Sequence, residues 1–311
     1  MRVLTAEGRA TAIGGGAILL WSTLALLAAT TRGIPPFETL AISFGVACLV
    51  GLAVLAARRR LGRLRQSPLA WAIGFFGLFA YHALYFTALD NAPPAQAGLI
   101  AYLWPLLIVI FAALLPGGAL RARHLLGAMM GLAGTVLILL GGTGLAGHGT
   151  ALGYGCALAA AFVWSGYSVA NRTISAVPSE LIAGVCGAVS LAALAVHLAT
   201  EASVMPRPVQ WAALMALGIG PVGLAFYFWD FATKHGDLAL LGTMSYAAPL
   251  LSTALLIAVG WAGFTWSLLG AAALIVGGAA VSVGVTRRGR ARHAPAPADT
   301  PDGHAPPPEM R

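Results

Sequence analysis

The chain has 311 residues, 59% of them hydrophobic and only 9% charged. A soluble domain carries roughly 25% charged residues, so a water-facing surface of ordinary size is excluded. The net charge of +8 does not point to nucleic acid, because the basic residues sit between apolar stretches rather than along one face.

Ten apolar stretches of about 20 residues follow one another, each long enough to cross roughly 30 Å of hydrocarbon as a helix. The first, 10–30, follows a short basic start and carries Trp21 mid-span. Its resemblance to a signal peptide is outweighed by the repeat described below, which makes it a retained helix. The second, 36–57, opens with Glu38. The third, 68–89, contains Tyr81, His82 and Tyr85 within YHALYF. After the turn Asp90-Asn91-Ala92, the fourth, 93–115, holds Tyr102, Trp104 and Pro105.

The fifth stretch, 123–142, carries Gly127 and Gly131 at GxxxG spacing, a close-packing motif assigned here to contacts within the monomer. The sixth, 150–170, carries Trp164; the seventh is 178–199. The eighth, 209–230, ends in Phe226, Tyr227 and Trp229, the last placed in an interfacial aromatic belt. The ninth, 238–260, holds Tyr246 and Pro249. The turn Trp261-Ala262-Gly263 leads into the tenth, 264–285, and residues 286–311 read as a disordered cytoplasmic tail rich in Pro, Ala and charge.

Loop charge fixes an expected orientation. With ten helices in alternation, all but Arg32 and Arg207 of the 18 basic residues fall on one side, including the run from Arg58 to Arg65. The positive-inside rule then puts both termini in the cytoplasm, with residues 1–9 as an N-terminal segment.

The sequence also repeats itself. Trp21-Ser22 recurs as Trp164-Ser165; Gly98, Tyr102 and Pro105 recur as Gly242, Tyr246 and Pro249; LLGA at 125–128 returns at 268–271. The offset is 143 or 144 throughout. The expected architecture is therefore an all-α integral membrane protein of two five-helix repeats, 10–142 and 150–285. An odd helix number makes the second repeat enter from the opposite side, the inverted-topology plan of secondary transporters.

Pro105 and Pro249, near the centres of matched spans, each remove a backbone donor and are expected to kink helices around a polar cavity. His82 is the one ionisable side chain placed deep within a span, a position that marks function. Asp230, Lys234 and Asp237 are placed at span ends or in loops. Trp21, Tyr102, Trp104 and Trp164 lie mid-span, away from the interfaces, and suit a cavity walled by rings. Without a mid-span carboxylate or cation, the cavity suits a neutral or zwitterionic solute with an apolar body. Cys48, Cys156 and Cys186 lie in apolar spans without ligand spacing, so neither disulfide nor metal is expected. No motif for a cofactor or for nucleophilic catalysis is present.

The stretch 71–128, centred on YHALYFTALDNAPPAQAGLIAYLWPLLIVIFAALLPG, resembles the EamA family of the drug/metabolite transporter superfamily. Its third and fourth spans are most similar to the YddG-type aromatic amino acid exporters of that family. The resemblance implies an inner-membrane exporter of aromatic and other neutral amino acids that need not consume ATP, and the expected state is a monomer. It further implies a cavity lined by Trp21, Tyr81, His82, Tyr85, Tyr102, Trp104 and Trp164, with Phe226 and Tyr227 matched less closely. A broad exporter of neutral metabolites or hydrophobic toxicants is the alternative within transport. A lipid-modifying enzyme or assembly factor is the alternative outside it.

Overall fold

The computed structural model describes residues 5–143 and 148–284, apart from the side chains of residues 95, 139–143, 283 and 284. The tail expected from residue 286, with its arginines, and Arg2 lie outside the described residues. Within them the chain forms ten apolar helices and no strand. In order these are α1 (Ala6–Thr30), α2 (Pro36–Ala57), α3 (Pro68–Asn91), α4 (Gln96–Leu114) and α5 (Ala122–Thr143). The others are α6 (Ala151–Thr173), α7 (Leu181–Thr200), α8 (Pro208–His235), α9 (Leu238–Ala258) and α10 (Trp266–Gly284). Eight are long and apolar enough to cross a membrane, while α5 and α10 have shorter apolar stretches, Ala122–Ile138 and Trp266–Ser282.

Local chemistry sets the helix starts. Pro36, Pro68 and Pro208 stand at the first helical positions, where a missing N–H costs nothing. Thr5, Ser67, Thr150 and Asp237 accept a first-turn N–H on their side-chain oxygens. The Thr5 cap explains why α1 begins at Ala6 rather than near residue 10.

The outer surface is apolar, with Leu114, Leu198 and Leu49 all at least 70% exposed. Side chains of this kind in such numbers are stable only against lipid. Trp261, Phe264 and Trp266, exposed around the turn into α10, have the character of an interfacial belt.

The arginines and lysine divide between two ends. At one, here the basic end, Arg60 meets Glu180 at 3.6 Å, and Asp237 N–H donates to Thr11 Oγ1 at 2.9 Å. At the other end the Glu201 carboxylate accepts from Phe37 N and Glu38 N, and Gln210 Nε2 donates to the Arg32 carbonyl.

Helix pairing follows a swap rule. α2 packs on α7 and α5 on α10, each on the helix five places away, while α3 packs on α6 and α1 on α8. Exchanging each helix with the one five places away turns this pattern into itself. In hydrocarbon, helices associate by close packing rather than by the hydrophobic effect, and small residues sit at these contacts. Ser190 Oγ of α7 donates to the Ala41 carbonyl of α2 at 2.7 Å. A Cβ on Gly127 would lie 2.5 Å from the Gly278 carbonyl oxygen of α10, and one on Gly131 would meet the Tyr246 ring at 2.4 Å. The GxxxG stripe of α5 is thus filled from within the chain.

The two prolines act more sharply than kinks. In α4, helix runs to Ala101, turns through Tyr102 and Leu103, and restarts at Trp104 with Pro105 in its first turn. In α9 it stops at Ser245, turns at Tyr246 and restarts at Ala247, two residues before Pro249. Each proline opens a second half-helix, because its ring clashes with the preceding turn. Two further breaks have no matched partner. α1 is interrupted at Ser22 and Thr23, and α8 contains a π-helical segment, Gly218–Leu224, around Pro221. The helices five places away, α6 and α3, run unbroken.

Candidate functional site

The irregular backbones of α1 and α8 meet at Trp21. The π-helical segment Gly218–Leu224 shifts the regular i to i−4 ladder of α8, and the indole Nε1–H of Trp21 donates to the Pro221 carbonyl within it at 3.0 Å. This bond fixes the ring at the centre of the bundle. Around it stand Trp229 at a ring-centroid distance of 5.0 Å, Trp164 at 5.6 Å, Phe226 at 6.1 Å and Trp104 at 6.5 Å. Most are edge-to-face or tilted pairs, the geometry that the aromatic quadrupole favours. Four helices, α1, α4, α6 and α8, thereby converge on one cluster.

Polar groups hold it in register. Ser165 Oγ donates to the Trp104 carbonyl at 2.9 Å, bridging α6 to the start of the second half of α4. Trp229 Nε1 donates to Ser168 Oγ at 3.0 Å. Gly77 of α3 gives Tyr167 room to pass, since a Cβ there would stand 2.4 Å from its ring.

Helix α3 adds the second wall. Tyr81 and Tyr85, one turn apart, stack with 2° between their planes, and Tyr81 lies 5.1 Å from Trp164. His82 points about 100° round the helix and packs on Phe44 of α2, Phe86 and Phe226. Its Nδ1 lies 2.7 Å from the Leu78 carbonyl, which only accepts. Nδ1 therefore carries hydrogen, so that in the neutral tautomer Nε2 is the acceptor. The Tyr85 hydroxyl reaches α4, 3.8 Å from where a Cβ on Gly98 would stand, and Tyr102 follows one turn later.

Exposure distinguishes floor from walls. Trp104, Trp164, Phe226 and Trp229 are buried, whereas Trp21, Tyr81, His82, Tyr85 and Tyr102 stay half-buried. These half-buried rings meet at the junction of several helices beside the buried tryptophans, and we take the space they border as the candidate cleft.

Most of the residues singled out from sequence meet here: Trp21, Tyr81, His82, Trp104, Trp164 and Phe226 are in ring contact, with Tyr85 and Tyr102 alongside. Tyr227 does not join them. One residue past Phe226, it turns away by the helical angle, and with Gly51 and Phe228 it lines a separate groove of about 630 Å³ between α1, α2 and α8. Tyr246, the repeat counterpart of Tyr102, packs on Gly131 and contributes nothing to the cleft.

The structure corrects two placements. Trp229 is fully buried in the cluster rather than in an interfacial belt, because α8 continues to His235 instead of ending at 230. For the same reason Asp230 and Lys234 are not loop or span-end charges open to water. They face each other one turn apart, Nζ to Oδ2 at 2.8 Å, both buried, with Nζ also donating to the Val177 carbonyl at 3.0 Å. Trp229 and this pair are legible only as i, i+3 and i, i+4 partners on a helix longer than its apolar core, whereas Phe44 of α2 carries no signal beyond being one apolar residue of its span.

Comparison with known proteins agrees with this architecture. The model of the EamA-like transporter family matches twice, at residues 11–140 and 151–284. The aromatic amino acid exporter YddG of Ancylobacter novellus is 52% identical over 283 residues, covering 90% of this chain and 98% of that protein. The Escherichia coli protein of the same name is 26% identical over 299 residues, and the uncharacterized transporter YyaM of Bacillus subtilis 23% over 278. A solved crystal structure 51% identical in sequence superposes with a TM-score of 0.86, covering 91% of this chain and all of the other. With both halves matched, the chain belongs to the EamA-like transporter family.

Proposed function

We propose that the protein exports aromatic and other neutral amino acids across the bacterial inner membrane, binding them in the ring-lined cleft. The observation that carries this reading is the cluster of Trp21, Trp104, Trp164, Trp229 and Phe226, bordered by the half-buried Tyr81, His82 and Tyr102. Rings stack a ring-bearing substrate with little loss of side-chain freedom. The Nε2 acceptor of His82 receives the substrate ammonium. The relatives named as aromatic amino acid exporters support the same substrate class.

The transport cycle we infer is alternating access by two inverted five-helix halves. The double family match and the swap symmetry of helix pairing support it. We take the basic end as cytoplasmic under the positive-inside rule, with both termini inside and Tyr85 and Tyr102 toward the outer side. Hinges at Tyr102–Leu103 and at Tyr246 let the half-helices of α4 and α9 tilt. The protein acts as a monomer, its small-residue stripes being occupied internally. Movement is facilitated rather than ion-driven, since the cleft holds no unpaired carboxylate to carry a coupling proton or sodium ion.

Flux in proteoliposomes tests this. Radiolabelled phenylalanine is expected to exchange with unlabelled phenylalanine, tyrosine and tryptophan and not with lysine or glutamate, at the same rate with or without a proton gradient. Absence of aromatic amino acid exchange under either condition overturns the reading; strict dependence on the gradient overturns the facilitated mechanism.

A further inference from the structure

Beneath the ring cluster, at the basic end, lies a second cavity of about 1170 Å³. Its walls come from the ends of α1, α4, α5 and α6 and from the turn between α8 and α9. Three of these helices also carry Trp21, Trp104 and Trp164, so the cavity lies below the cleft, between the same helices. The path between the two is shut. A Cβ on Gly14 of α1 would stand 2.3 Å from Leu241 Cδ2 of α9 and 2.8 Å from Ala232 Cβ of α8. Gly242 of α9 backs equally tightly, at 2.7 Å, on the Pro105 carbonyl oxygen of α4. No amino acid passes between backbones packed this closely.

The lining carries charge of both signs: Arg121, Arg123, His124 and Arg172 with Glu7 and Asp237. Arginines that only set topology need nothing beyond exposure to cytoplasm, and Arg121 fits that description. Arg123 does not. Its Nε donates to His124 Nε2 at 3.2 Å, which aims the guanidinium, while its Nη2 is buried without a hydrogen-bond partner. Nη2 is closed off from the cavity, but the half-buried Arg123 side chain lines it, where a guanidinium offers a charged donor to an incoming carboxylate. Arg172 is already committed to the Gly236 carbonyl. Asp237 accepts the Leu240 N–H on Oδ1 at 3.0 Å and lines the same cavity as the arginines.

We propose that this cavity is a loading vestibule, in which a zwitterionic amino acid docks from the cytoplasm before the floor opens. Its carboxylate binds Arg123, and its ammonium faces Asp237 and Glu7. The inference rests on the export reading and adds to it a second, charge-selective site that acts before the ring-lined cleft.

The test is sided transport in vesicles of defined orientation. Phenylalanine presented at the basic end is expected to half-saturate at a concentration well below that of phenylalaninamide, which lacks the carboxylate. Arg123→Gln is expected to raise the phenylalanine value roughly tenfold, the scale of one charge-assisted hydrogen bond, and to abolish the difference from the amide. Arg123→Lys restores part of it, and neither variant changes half-saturation from the opposite end. In the wild type alone, added salt raises the half-saturation concentration at the basic end only, so the inference stays testable even if Arg123→Gln does not insert. Equal effects at both ends, or wild-type values that ignore the carboxylate, overturn the vestibule and leave export standing. No wild-type flux from either end overturns the export reading itself.

Discussion

Trp164→Ala is expected to lower phenylalanine export at least tenfold at equal membrane abundance. Trp164 joins the buried floor to the open wall, touching Trp21, Trp104, Phe226 and Trp229 on one side and Tyr81 on the other. Truncating a buried tryptophan removes about 3–5 kcal/mol of packing, and aromatic pairs contribute roughly 0.5–1.5 kcal/mol each beyond area. Because such a loss also loosens the fold, Trp164→Phe is the informative companion. It keeps a ring in place and is expected to retain folding while weakening substrate binding. His82→Phe separates polar from packing roles: the ring contacts to Phe44 and Phe226 survive, the Nε2 acceptor is lost, and transport falls. Expression-normalised uptake by the three variants checks this, and unchanged rates for Trp164→Ala and His82→Phe remove both residues from the site.

Lys234→Met is expected to destabilise the protein by about 3–5 kcal/mol, the usual result of stranding one partner of a buried ion pair. Here the stranded partner is the Asp230 carboxylate, and the Val177 carbonyl loses its donor as well. Replacing both residues, Asp230→Leu with Lys234→Met, is expected to recover most of that loss, because the desolvation of both charges disappears along with their attraction. Thermal unfolding in detergent distinguishes the outcomes. A double variant no more stable than the single one would show that the loss comes from the missing Lys234 tie to the Val177 carbonyl rather than from the stranded carboxylate.

Much of this architecture is written openly in the sequence, and particular residues show why. Helix limits follow from apolar length together with Pro36, Pro68 and Pro208, whose chemistry is local and whose helices begin where expected. The errors fall where an element outruns its apolar stretch. Asp230 and Lys234 make the end of α8 look like a loop, yet a charge pair at i, i+4 neutralises itself inside a helix, and so Trp229 moves from surface to centre. Ring residues at mid-span are legible one by one, but which of two neighbours faces inward is set by helix rotation; Phe226 points in and Tyr227 out. The π segment at Gly218–Leu224 has only Pro221 and its glycines as a signal, and its use, an acceptor for Trp21, depends on a contact 200 residues away in sequence. Repeat matching finds Tyr102 and Tyr246 as equivalents but not their divergence, one open to the cleft and the other sealed on Gly131.

The central claim is that the ring-lined cleft holds the substrate, and a structure determined with bound phenylalanine tests it most directly. The phenylalanine ring is expected against Trp164 and Tyr81, with its ammonium within hydrogen-bond distance of His82 Nε2. Phenylalanine bound elsewhere, with the cleft between α3, α4 and α6 left empty at saturating concentration, would contradict it.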